Sequence, residues 1–214
     1  MKINKWALST LAASVTALCM GSAHATLILT LDDNAGNTKT IVDNGEGDSD
    51  MSIGGIAWIG TLGTWVQNIT GGLSNRPGIE GVATLDLVSL NYSRGAGTLT
   101  MTLTDGLFTT PNGPGFGATT QVGGVAGGSA SFNSLLNGNS IGTFGSGTGA
   151  FSGTNNANVD TTGGFSLTQV ATITHNGRGN SSFNIITTVP EPATLGLLGL
   201  GLIGLGFARR RRNR

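Results

Sequence analysis

Gly97-Thr98-Leu99-Thr100-Met101-Thr102-Leu103-Thr104-Asp105 is the stretch that decides the fold. Leu99, Met101 and Leu103 fall on one face and Thr98, Thr100, Thr102 and Thr104 on the other. A period of two residues is that of a strand with one face in a core and one in water. Similar runs occur on both sides of it: 26–31, 39–42, 53–59, 64–69, 83–92, 165–174 and 182–187. Asx and glycine turns separate them, as in Asp33-Asn34-Ala35-Gly36 and Asn75-Arg76-Pro77-Gly78. Between residues 26 and 188 no stretch keeps helical periodicity over three turns. Many short strands joined by such turns predict an all-β passenger, a β-sandwich of jelly-roll type.

Residues 111–164 are rich in Gly, Ser, Asn and Thr, with Phe116, Phe132, Phe144 and Phe151 spaced through them. A flexible linker has no use for spaced phenylalanines, so irregular strands with glycine-rich turns are expected here. No tight repeat is present, which argues against a regular solenoid.

Composition narrows the function. The chain has 37 glycines in 214 residues and is 10% charged, where about 25% charged is usual. The formal net charge is zero, but residues 26–188 hold ten acidic against four basic side chains (Lys39, Arg76, Arg94, Arg178), a net −6. Such a body repels nucleic acid. The single cysteine, Cys19, lies near the N-terminus, so the passenger forms no disulfide.

Both ends read as addresses. Lys2 and Lys5 precede an apolar and small-residue stretch, Trp6 to Met20, and Ala23-His24-Ala25 is a small-x-small cleavage site. Residues 1–25 are therefore expected to be a secretory signal, removed by signal peptidase after passage through the Sec translocon. Leu18 before Cys19 does not suit lipidation. At the other end, Pro190-Glu191-Pro192 is followed by the apolar run 193–208 and by Arg209, Arg210, Arg211, Arg212 and Arg214. As a helix that run is about 24 Å long, a single short transmembrane segment against a hydrocarbon core of about 30 Å. The arginines act as a stop-transfer cluster and hold this end in the cytoplasm, leaving the body outside. No two of the run's glycines are four apart, so it has no GxxxG face.

The triplet, the short Leu/Gly run and the terminal arginines, in that order, resemble the PEP-CTERM sorting signal of Gram-negative bacteria. The resemblance covers residues 189–214 and implies a membrane enzyme, exosortase, as partner, with cleavage near Pro190, Glu191 and Pro192. It implies transient residence in the inner membrane, then the cell surface or the exterior. The Leu-Pro-x-Thr-Gly motif of sortase substrates is absent.

Candidate chemistry in the passenger is sparse. Asp43, Glu46, Asp48 and Asp50 crowd four carboxylates into eight glycine-containing residues. That is a candidate Ca²⁺ turn, although its spacing misses the EF-hand loop; the alternative is a solvated turn whose side chains cap their own backbone. Otherwise no cofactor is expected. His175, the passenger's only histidine, sits at a strand end and turn and is expected at the surface. Glu46, Glu80, Asp86 and Asp105 are the carboxylates from which a glycoside hydrolase pair would be drawn. Trp65 is the candidate exposed platform for a sugar ring, and Trp58, between Ala57 and Ile59, is expected in the core. The threonines of 98–104 suggest an ice-binding face, but one strand cannot make a flat array. Asn68-Ile69-Thr70, Asn91-Tyr92-Ser93 and Asn180-Ser181-Ser182 match glycosylation sequons without implying glycosylation in a bacterium. The expectation is a non-enzymatic surface or secreted protein associated with exopolysaccharide or biofilm matrix. The alternative is a secreted carboxylate-dependent glycoside hydrolase or a carbohydrate-binding module.

Overall fold

The structure, a computed structural model, describes residues 27–76 and 81–190. The signal segment with Ala23 and Ala25, Glu80, Glu191 and Pro192, the apolar run 193–208 and the arginine cluster lie outside the described residues.

The described residues form twelve strands: β1 Ile28–Asp32, β2 Thr38–Val42, β3 Gly55–Leu62, β4 Trp65–Ser74, β5 Val82–Ser93, β6 Gly97–Phe108, β7 Pro114–Ala126, β8 Ser129–Leu136, β9 Asn139–Ser146, β10 Gly149–Asp160, β11 Phe165–His175 and β12 Gly179–Pro190. They build two antiparallel six-stranded sheets. One, sheet A, has the order β2-β1-β6-β11-β8-β9; the other, sheet B, has the order β10-β7-β12-β5-β4-β3. From β5 onward the chain passes repeatedly between the sheets, and β10-β7-β12-β5 lies over β6-β11-β8-β9. That is the eight-stranded jelly roll, widened on one side by β1 and β2 in sheet A and by β3 and β4 in sheet B.

The decisive stretch lies within β6, where Leu99, Met101 and Leu103 are wholly buried and the threonines face outward. Facing them from sheet B are Ala83, Leu85 and Leu87 of β5 and Ile185 and Val189 of β12, also wholly buried. Residues 111–164 are strands, as expected, with bulges near 159–160 and 134–135. Phe116 and Phe132 enter the core, and Phe144 and Phe151 pack against it. The Phe132 and Phe151 rings lie 5.2 Å apart, and those of Phe144 and Phe151 6.1 Å apart. Gly153 leaves room for them: a Cβ there would run into the edge of the Phe144 ring.

The expected boundary after residue 188 falls inside β12, which continues to Pro190. Register fixes the two ends of the sandwich. Ile28 pairs with Thr104 and Pro190 with Val82, so Leu27 and Pro190 lie at one end. Gly179 pairs with Ser93 and His175 with Gly97 at the other.

Candidate functional site

The outer face of sheet B carries a groove. At one register position Gly71, Val88, Asn184, Gly123 and Ser152 lie side by side across β4, β5, β12, β7 and β10. Gly123 has no side chain to fill the face, and a Cβ built there meets only the Phe151 carbonyl oxygen, at 3.8 Å. The result is a hollow of about 430 Å³ lined by Val88, Leu90, Gly123, Gly124, Ser182 and Asn184. A second hollow of about 220 Å³ continues it past Gln121, Asn184 and Ile186. Asn184 is common to both. Its Oδ1 is buried without a hydrogen-bond donor, and so is Oδ1 of Asp86 on the neighbouring strand. Burial raises the Asp86 carboxyl above its usual range, an effect partly offset by the Asn184 side chain. Val88, Leu90 and Val125 are 44%, 41% and 50% exposed, so this face offers apolar contact beside two acceptors that lack donors.

Of the carboxylates considered for hydrolysis, the structure describes Asp86, Asp105 and Glu46, and it places them on different parts of the fold. Asp86 points out of sheet B. Asp105 points into the sandwich from sheet A and is 1% exposed. There the Nε of Arg76 lies 3.0 Å from its Oδ1, an ion pair without hydrogen-bond alignment. Burial raises the Asp105 carboxyl, with Ser74 and Arg76 opposing. Glu46 is on an exposed turn.

His175, expected at the surface, is 1% exposed. The period of two along β11 carries it inward after Ile173. Its Nδ1 is 2.6 Å from Ser93 Oγ and its Nε2 is 2.7 Å from Ser181 Oγ. One placement of the protons satisfies every contact. Ser93 spends its only hydroxyl proton on the Gly177 carbonyl at 3.1 Å, so it accepts from Nδ1–H. Nε2 is then the acceptor, and Ser181 donates to it while accepting from the Gly127 N–H at 3.0 Å. Ser181 and His175 thus have the contact of a nucleophile and its base. Yet Ser181 is 3% exposed and the orienting group is a serine. The cluster is an interior strut joining β11 to β5 and β12. Burial lowers the His175 pKa.

Trp65, the expected sugar platform, is wholly buried. It pairs with Ser93 and tilts against the His175 ring at 4.8 Å, so it cannot stack on a glycan. Trp58 is in the core as expected, 8% exposed.

The acidic turn spends its oxygens on its own chain. Asp48 Oδ1 accepts from the Asp50 and Ala57 N–H groups and Oδ2 from that of Asn44, each at 2.9 Å. Asp43 accepts from Gly54 N–H and Asp50 from Ser52 N–H, both at 2.9 Å. Among the described residues no three acidic, histidine or cysteine side chains are grouped to hold a metal ion.

The threonine face is wider than one strand. Thr98, Thr100 and Thr104 pair across to Thr174, Thr172 and Thr168 of β11, their hydroxyls 2.9, 3.4 and 3.1 Å apart. Thr30 and Thr40 extend the Thr102 row into β1 and β2. These hydroxyls largely satisfy one another.

Fold and sequence together define an antiparallel jelly-roll sandwich whose last core strand leads into a C-terminal sorting signal. The family model described as the PEP-CTERM protein-sorting motif matches residues 188–212, so this segment of the chain is a PEP-CTERM sorting motif. No curated protein matches the chain. Among solved structures it is similar to TmCBM61 in complex with β-1,4-galactotriose, at 10% identity and a TM-score of 0.33 over 62% of this chain and 92% of that one. It is also similar to a family 35 carbohydrate-binding module from Clostridium thermocellum, at 12% identity and a TM-score of 0.28 over 62% and 96%. A third is a PA14 sugar-binding domain from an RTX adhesin, at 13% identity and a TM-score of 0.28; the match covers 41% of this chain and 45% of that one.

Proposed function

We propose that the protein is exported through the Sec translocon, is handed to exosortase at the inner membrane, and loses its sorting signal near Pro190–Pro192. It then works at the cell surface or outside as a non-enzymatic protein associated with extracellular polysaccharide. The sorting motif supports the first part. The observation that carries the second is the groove on sheet B, where Ser182 and Asn184 border an apolar hollow floored by Gly123 and flanked by Val88 and Leu90. A sugar ring offers the complement: its C–H face suits Val88, Leu90 and the backbone at Gly123, and its hydroxyls can bond to the polar side chains of Ser182 and Asn184 on the rim. The net −6 of the body disfavours polyanions, so the glycan is a neutral one.

Retention on exopolysaccharide from the producing cell, compared with Gly123→Leu, is the test. The variant fills the hollow without a backbone clash and should weaken retention about tenfold, a change of about 1.4 kcal/mol, at unchanged Tm. Undiminished retention would reject the groove. Hydrolysis of the glycan that disappears in Asp86→Asn would instead favour the carboxylate-dependent hydrolase.

A further inference from the structure

The sorting signal and the fold share residues. The family match begins at residue 188, yet β12 runs on to Pro190. β12 is an interior strand. Thr188, Val189 and Pro190 pair with Thr84, Ala83 and Val82 of β5, and Thr188 also pairs with Thr119 of β7. Val189 is wholly buried. Thr187 is 1% exposed, accepts from Gln169 Nε2 at 3.0 Å and donates to Ser134 at 2.9 Å. Pro190 is exposed and has no N–H, so it cannot donate to a ladder and closes the strand. The first proline of the triplet is therefore the last residue of a core strand, and no spacer stands between the core and the signal.

We infer that the fold sets the upstream limit of processing at Pro190. The peptide bond that is cut is Pro190–Glu191 or a later one, and the released chain keeps the whole of β12. This rests on the processing reading above. In the cut, water adds to the carbonyl carbon, the C–N bond breaks, and the departing amine of the signal takes the proton. A cut before Val189 would strip a wholly buried side chain from the core. A cut before Thr187 would also remove the buried hydroxyl that donates to Ser134 inside the sandwich. The body thus reaches the enzyme with β12 paired as far as the first residue of the triplet.

Two measurements on the full chain test this. The first is the intact mass of the form released by the producing cell; the second is the intact mass of the resistant core left when purified full-length protein is digested with a broad-specificity protease. Both C-termini should lie at Pro190 or later. A released chain or a resistant core that ends before Val189 and keeps the full-length Tm would overturn the inference. If the cell releases nothing, the processing reading fails, while the digestion still decides the limit. Val189→Asp in the full chain should lower Tm and move the protease boundary upstream; no change in either would also overturn it.

Discussion

His175 makes the stability of the sandwich depend on pH in a direction the geometry fixes. The ring is held neutral, with Nδ1–H donating to Ser93 and Nε2 accepting from Ser181. Protonation would force Ser181, which already accepts from Gly127 N–H, to accept again and give up its own acceptor. Burial alone lowers the folded pKa. In the unfolded chain a histidine takes its proton near pH 6.5, so below that pH the unfolded state binds more protons than the folded one. Stability is therefore full above about pH 6.5 and falls as pH drops from there through the folded pKa. Between pH 7.5 and 5.5 the loss is at most about 1.4 kcal/mol, reached if the folded ring stays neutral throughout. For a body of this length that is about 3–6 °C in Tm. His175→Leu removes the proton uptake and both hydrogen bonds. At pH 7.5 it leaves the buried Ser181 hydroxyl without an acceptor, which costs about 1–3 kcal/mol. Asp86 and Asp105, both raised, protonate in the folded state first and act in the opposite sense at lower pH, but equally in both proteins. The assay is urea unfolding of each protein at both pH values. The variant should be less stable at pH 7.5 and lose less on acidification. Equal losses on acidification would refute the assignment to His175.

Three further outcomes follow from the same contacts. Gly124→Ala, whose Cβ would run into the Ser182 carbonyl, should lower Tm sharply, whereas Gly123→Leu one residue away should not; thermal melts compare them directly. Arg76→Met leaves the Asp105 carboxyl in the core without its ion-pair partner and should lose about 1–3 kcal/mol in denaturant titration, with Asp105→Asn in the same background recovering part of it. Melting in about 5 mM calcium and in chelator should give the same Tm, because Asp43, Asp48 and Asp50 already accept backbone N–H groups; Asp48→Ala should cost about 1–2 kcal/mol through those lost caps.

The sheets were legible where apolar residues marked the inner face. Leu99, Met101 and Leu103 placed β6 correctly because the alternation there is strict. The same period applied to β11 would have found His175: Phe165, Leu167, Gln169, Ala171, Ile173 and His175 form one buried row. On β5 the row Ala83, Leu85, Leu87, Ser89, Asn91, Ser93 is buried throughout although its second half is polar. Reading hydrophobicity alone ended the inner face too early. What admits these polar groups is a partner distant in sequence; Ser93 and His175 are 82 residues apart. No local signal announces such a partner, so residue type alone reads His175 as a surface histidine and Trp65 as an exposed platform, whereas both are buried.

The groove was illegible for the opposite reason, since it is made by what is missing. Gly123 and Gly124 are neighbours in a glycine-rich segment, and nothing in the sequence distinguishes their duties. The first Cβ position opens into the hollow and the second presses on the Ser182 carbonyl, so one glycine shapes a surface and the other lets β7 lie against β12. Asn184 reads as an ordinary outward polar residue of β12 until β7 and β5 are placed beside it. Only then do its Oδ1 and that of Asp86 emerge as buried acceptors without donors. Desolvating an acceptor without a partner is unfavourable. The cross-strand threonines of the opposite face lack this asymmetry, because their hydroxyls bond to one another. The two broad faces therefore differ: on sheet A outward hydroxyls pair with one another, and on sheet B the Oδ1 atoms of Asn184 and Asp86 do not pair.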